Sequence, residues 1–403
     1  MGSQGSPSSP GSDGASPGGA RRFSNVYALA FHADYRCHNS GACCTAHWDV
    51  PVELPVYKSL SEAVTNGSLH TADSAAGIYP FIVEPDLPVG AAAILERDEE
   101  GRCVFYAGAS KRCIVHRDLG EAALPATCRH FPRISVQDAR GTFVSLSHFC
   151  PTAASMLFRD VPVTIVARPP AFPASDYDGL VVTADDLPPM LTPRMLMDIE
   201  GYTAWERHMV ARFADVHRRP VSVVATLWRD AQLLLEWRPG SVTMTDAIAR
   251  LPHGYVEREK EDGVSGSMRR FAEVMAAVPD DLKPAPDEDG LEAAMREHVQ
   301  PAWAEFHPPI NRYLAAKAFA SWTAYQGRGI RTIVRGIEAA LALVRVEASR
   351  QCRNARRTLD AALLLEAIRQ ADFLLNHLAV GEELARAWGL VERQAGAEPS
   401  PEA

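Results

Sequence analysis

Eight cysteines supply the side chains best suited to chemistry, and seven of them crowd between positions 37 and 150 of a 403-residue chain. They stand in Cys37-His38-Asn39-Ser40-Gly41-Ala42-Cys43-Cys44, Arg102-Cys103, Arg112-Cys113-Ile114-Val115-His116, Cys128-Arg129-His130-Phe131-Pro132-Arg133 and Phe149-Cys150-Pro151. Thiolates are preferred ligands of zinc and of iron–sulfur clusters. The regular C-x2-C…C-x2-C of a zinc ribbon is absent, and the thiols are spread over several loops. That pattern points to a buried iron–sulfur cluster, with zinc as the alternative. Cys37, Cys43, Cys44, Cys103, Cys113, Cys128 and Cys150 are the candidate ligands. In an extended strand, Cys43 and Cys44 would point to opposite faces. Both could serve one metal only if the backbone turns sharply, and Gly41 just upstream suits such a turn. His38, His47, His116, His130 and His148 are candidate supplementary donors. Cys352 stands alone near Arg353 and Arg356 and is expected to be an incidental thiol.

Arg129 and Arg133 follow Cys128. Arginines beside a thiolate cluster would offset its negative charge, and they could hold an anionic group of a bound cofactor. The plainer alternative is that they only neutralise the cluster or pair with nearby acids. Other catalytic templates are missing. There is no GxxxxGK[ST] phosphate loop and no GxGxxG opening a helix after a strand. GxSxG and HExxH do not occur either.

The elements that would position these residues divide the chain in two. Strand-like runs lie mainly before residue 185, at 79–84, 92–95, 142–146 and 161–166. The remainder reads as helix. Residues 186–237 carry apolar positions at helical spacing, among them Met209, Phe213 and Val216. In 329–350, Ile330, Ile333, Val334, Ile337, Leu341 and Val344 fall on one face. A further helix is expected over 358–379, with Leu359, Leu363, Ala367 and Leu374 in the core. Trp205, Trp228, Trp237, Trp303 and Trp322 are expected to fill core and interface. Pro-rich breaks fall at 169–173, 188–189 and 284–286, and a solvated loop is expected from Glu257 to Asp262. The expected fold class is α+β. A Gly/Ser/Pro leader spans 1–22, a loop-rich cysteine-cluster metal domain 23–180, a mainly α-helical domain 185–395 and a frayed tail 396–403.

The order of the cysteine pieces resembles the cysteine-cluster family of zinc- or iron-chelating proteins, whose signature is CxxCxxCC. The branch it looks most like is the flagellin lysine N-methylases. The Cys43-Cys44 pair is followed by Trp48 and Asp49-Val50-Pro51-Val52-Glu53. Then come a Cys-x-Phe, a Cys-Ile-x-His with Leu119-Gly120-Glu121, a Cys-Arg-x-Phe-Pro-Arg and a Cys-Pro-x-Ala-Ala at Cys150. The motifs cover 37–155, with weaker matches around Arg312-Tyr313-Leu314 and near His377. One position departs from the signature: Ser40 stands where its second cysteine belongs, and a hydroxyl is a far poorer ligand than a thiolate. The resemblance implies an iron–sulfur enzyme that transfers a methyl group from S-adenosylmethionine to a lysine of a flagellin-like protein. The alternative is a non-catalytic zinc- or iron-binding module.

Composition sets outer bounds. Lys and Arg number 41 against 50 Asp and Glu, a formal charge of −9, which argues against a general nucleic-acid partner. No apolar run approaches a membrane span. The first 20 residues contain no apolar signal-peptide core, so a cytoplasmic location is expected. In that reducing compartment clustered cysteines read as metal or catalytic sites rather than disulfides.

Overall fold

The computed structural model describes residues 25–395, apart from 47, 86, 176, 178, 184–187, 259–263, 285–286 and the side chains of 390–395. The expected leader and tail lie outside the described residues, as do His47 and parts of the 257–262 and 284–286 loops.

The protein is a mixed α and β structure. Its strands are β1 (Val26–Leu29), β2 (Pro51–Glu53), β3 (Phe81–Ile82), β4 (Ala91–Leu95), β5 (Tyr106–Ala107), β6 (Arg112–Cys113), β7 (Arg133–Asp138), β8 (Gly141–Leu146), β9 (Ile165–Ala167), β10 (Gly179–Val181), β11 (Met190–Thr192) and β12 (Met195–Leu196). In the cysteine-rich half the helices are α1 (Leu54–Thr65), α2 (Ile114–Leu119), α3 (Ala126–His130) and α4 (Pro151–Met156). The later ones are α5 (Ile199–Arg212), α6 (Pro220–Leu234), α7 (Met244–Ala249), α8 (Val264–Ala276), α9 (Leu291–Ala294), α10 (His307–Ala318), α11 (Ile330–Ala355), α12 (Ala361–Phe373) and α13 (Gly381–Ala395).

A five-stranded mixed sheet in the order β10-β7-β8-β1-β9 lies between the two halves. β7 and β8 form an antiparallel hairpin from Arg133↔Leu146 to Asp138↔Gly141, while β1 runs parallel to β8. One sheet face joins the large helical core: Leu29, Phe31, Val136 and Phe143 pack with residues such as Trp205, Tyr313 and Val344. A separate small core belongs to the cysteine-rich region. There β2-β4-β3 and α1 bury Val52, Leu60, Phe81, Val104 and Phe105, with Cys103, Cys113 and Cys128 against them. A third cluster holds Tyr35, Val144, Leu146 and Cys150. The thiols therefore sit where short elements meet, on the margins of two small cores.

The helix expected over 329–350 is α11, which runs on to Ala355 and is buried on nearly every side, including Arg335, Arg345 and Glu347. Burying each Val, Leu or Ile of such a helix stabilises by about 1.5–3 kcal/mol, so packing rather than propensity holds it. The 358–379 helix is observed as α12, capped by the Asp360 carboxylate accepting from Leu363 N at 2.9 Å, followed by a π-helical turn at Leu374–Leu378. Its four expected core residues are all buried. The region 186–237 is broken where continuous helical spacing was expected. A hairpin, β11–β12, precedes α5, and residues 213–219 separate α5 from α6. Pro220 at the first turn of α6 starts a new helix, because its ring cannot extend the preceding one. Trp205 and Trp303 are core residues, as expected.

Candidate metal centre

The first thiol pair is shaped by one glycine. Gly41 has φ +76° and ψ 0°, and it opens a 3-10 turn over Ala42–Cys44. A Cβ there would stand 2.7 Å from the Tyr106 ring, so both conformation and space require glycine. The turn is closed by Cys44 N donating to Gly41 O at 2.9 Å and by Thr45 Oγ1 donating to the same carbonyl at 3.3 Å. The chain does not run as a strand here. The two sulfurs stand on one side, with Cys43 Sγ and Cys44 Sγ 3.9 Å apart. That separation matches the edge of a tetrahedral thiolate site, about 3.8 Å for a metal–sulfur bond of ~2.3 Å.

The other thiols arrive from separate elements. Cys103 N donates to Cys44 O at 2.8 Å, which ties its loop to the turn. Cys113 ends β6 and precedes α2, Cys128 lies within α3, and Cys150 caps α4. Tyr35 Oη approaches Cys150 Sγ at 3.8 Å. All seven N-terminal cysteines line one cavity of about 140 Å3, together with Ser40, Arg129 and Arg133. Seven residues from five stretches of sequence thus share one wall, while Cys352 is buried elsewhere, in α11. Among the described residues, no group of three or more His, Cys, Asp or Glu side chains is placed so as to hold a metal ion.

Burial makes several of these thiols reluctant to ionise. It pushes Cys103 up to about 12 and Cys128 well above the usual thiol range. Cys150 is also raised by burial. The contact between Cys44 and Cys113 works in opposite directions: it raises Cys44 and brings Cys113 down to about 7. Cys43 is lowered by its hydrogen bond with Cys44. Such a set is costly to hold as bare thiolates.

The wall carries few charges besides the thiols. Arg133 Nη1 donates to Arg129 O at 3.3 Å, and its guanidinium lies 6.0 Å from the Tyr35 ring centre and 5.9 Å from that of Phe172. Lys111, His116 and Glu121 complete the polar lining. Of the supplementary donors, His116 lines the cavity and the other described histidines do not. His148 turns away to His32, with their Nε2 atoms 3.1 Å apart, because its backbone N–H is fixed to the Asp372 carboxylate at 2.7 Å.

That carboxylate belongs to a buried polar network beneath the centre, which sequence reasoning missed. Asp372 accepts from Tyr313 Oη at 3.2 Å and from Ser147 Oγ at 3.3 Å, and it pairs with Lys317. Ser147 Oγ also contacts His377 Nε2 at 2.7 Å. A serine hydroxyl has one hydrogen, so Ser147 donates to Asp372 while accepting from an Nε2–H tautomer of His377. The carboxylate thus contacts the serine rather than orienting the histidine, which is not the arrangement of a nucleophilic triad. Trp48 stacks near His377 at 4.7 Å, linking the network to the segment after the cysteine pair. The only sequence signals were the weak family matches around Tyr313 and His377.

Compared with family models, with curated proteins and with solved structures, the chain matches none. No helix among the described residues is long and apolar enough to cross a membrane.

Proposed function

We propose that the cavity between the small cysteine-rich core and the central sheet holds an iron–sulfur cluster. The observation that carries this is seven cysteines on the wall of one cavity. The donor chemistry fits, since soft thiolates suit zinc and iron–sulfur groups and exclude hard cations such as magnesium. The space fits as well: about 140 Å3 is roughly ten times the room one water-sized probe needs, which favours a multinuclear group over one ion. The cysteine-cluster domain expected over 23–180 is then a domain organised by its metal.

The second reading, a zinc-binding module, is favoured by the 3.9 Å Cys43–Cys44 edge. Ser40, on the same wall, stands in place of a further thiol. Seven cysteines still complete a four-thiolate centre without it.

The enzymatic reading, methyl transfer from S-adenosylmethionine to a protein lysine, follows from the sequence resemblance. When bound, the cluster would supply a metal centre within this cavity. Arg129 and Arg133 would meet the carboxylate of the methyl donor. The nucleophile must be a neutral amine, and the apolar wall residues Val50, Leu95 and Leu124 disfavour its ammonium form. The new N–C bond forms as the donor's S–C bond breaks, and the amine proton leaves to solvent. The test is an anaerobic assay of metal-loaded protein with labelled S-adenosylmethionine and a flagellin substrate. Labelled methyl-lysine, lost in Cys103→Ser and retained in Cys352→Ser, supports the enzyme. Full metal loading with no labelled lysine supports the module.

A further inference from the structure

A cavity of about 850 Å3 lies between α8, α11 and α12, and none of the cysteines lines it. Small-molecule sites commonly measure about 300–1,000 Å3 and are mostly apolar, with a few polar groups. Two helices build the apolar side here. Phe271 and Met275 stand one turn apart on α8, and Phe373, Leu374 and Leu378 come from the end of α12 and the turn that follows. From Gln370 to Leu378 this wall runs for about 12 Å, at 1.5 Å per residue. The apolar strip is therefore long, and it suits a chain-like body.

The polar side comes from α11 and from the loop before α9, and its charges are already matched. Glu347 pairs with Arg350, and Asp287 takes Arg353 at 2.5 Å and Arg350 Nε at 3.4 Å. Lys283 holds Asp280 at 2.5 Å, and Glu288 is exposed to solvent. Residues 285 and 286, which are not described, are alanine and proline and add no charge. An ionised ligand thus meets no opposite charge to spare, and burying it unpaired is costly. Neutral amides remain, from Gln351 and Gln370. Gln370 Nε2 donates to Glu366 at 2.7 Å, which leaves its carbonyl oxygen as an acceptor.

We propose that this cavity binds a neutral single-chain amphiphile, of the class of long-chain alcohols and monoacylglycerols. The chain lies along Phe271, Met275, Phe373 and Leu378. A hydroxyl of the ligand donates to the Gln370 carbonyl.

Fluorescence titration of the full chain tests this, with N-phenyl-1-naphthylamine as the reporter and dodecanol, dodecanoate and dodecylammonium as competitors. Saturable binding of one reporter per chain is expected. Dodecanol should displace it at a concentration at least about tenfold lower than either charged analogue, because neither ion finds a free partner on the wall. Ala276 lines the cavity from an exposed position on α8. Ala276→Trp should fill the space and weaken reporter binding at least about tenfold, through the apolar contact it removes, while the melting temperature holds. Ala362→Trp, at an exposed position of α12 outside the wall, should leave binding unchanged. Ala272→Leu fills less of the cavity from another exposed position and decides the matter should Ala276→Trp not fold. No saturable binding, charged competitors as effective as the alcohol, or undiminished binding in the filled variants overturns the site.

Discussion

Gly41, Cys43 and Cys44 show how far a few residues carry the centre. The need for a sharp turn was legible in the sequence, because adjacent cysteines can share a metal only where the backbone is not extended. Gly41→Ala puts a methyl group 2.7 Å from Tyr106 at φ +76°. It should cost about 1–3 kcal/mol and separate the two sulfurs, so metal content per chain should fall; metal analysis and a thermal melt check both effects. His377 carries a pH dependence. Burial lowers it to about 4, against an ordinary value of 6.5. The unfolded chain therefore takes up this proton first as pH falls, and stability present above 6.5 is lost on the way towards 4. Between pH 6.5 and 5 the loss from this group should reach about 1.5 kcal/mol. Denaturant melts across this range should show at least that slope, because burial lowers His32 and His148 as well, and His377→Gln should make it shallower by this group's share. No residue spacing announced this group, because its partners, Ser147 and Asp372, come from other elements.

The short strands and helices that deliver the thiols owe their positions to contacts made elsewhere. Helix α11 was legible because its apolar positions repeat at helical intervals over 26 residues. The break between α5 and α6 was not, since apolar spacing continues across it while Pro220 starts a new helix. The register of β7 on β8 and the crossing of β1 were equally hidden, because they depend on non-local pairing. Helices α10 and α12 are joined to the end of β8 through Asp372, which is fully buried and paired with Lys317. Asp372→Ala leaves the Lys317 ammonium without its carboxylate and frees the His148 N–H. Removing one partner of such a pair costs about 3–5 kcal/mol. The melting temperature should drop accordingly, and Lys317→Met with Asp372→Ala should restore part of the loss. An unchanged melt in the single variant would contradict the role given to this network.

Across the whole molecule, the described residues form one large core and smaller ones, of which the cysteine-rich core is the main one. The helical core, with one face of the sheet, is extensive. The cysteine-rich core is small, and groups of that size commonly depend on metal. Hydrogen exchange after removal of metal should therefore show protection lost over 42–130 and retained in α10, α11 and α12. Uniform loss would mean that the two cores fold as one unit. The fold class and the group of seven cysteines were legible from composition and motif. The shared cavity was not, because no sequence distance tells where five segments meet. The most direct test of the central claim is iron and acid-labile sulfide per chain, with the visible spectrum, on protein purified without oxygen. The account predicts iron and sulfide in equal amounts, a broad brown absorption, and loss of both in Cys44→Ser. Stoichiometric zinc without colour, or no metal at all, would contradict it.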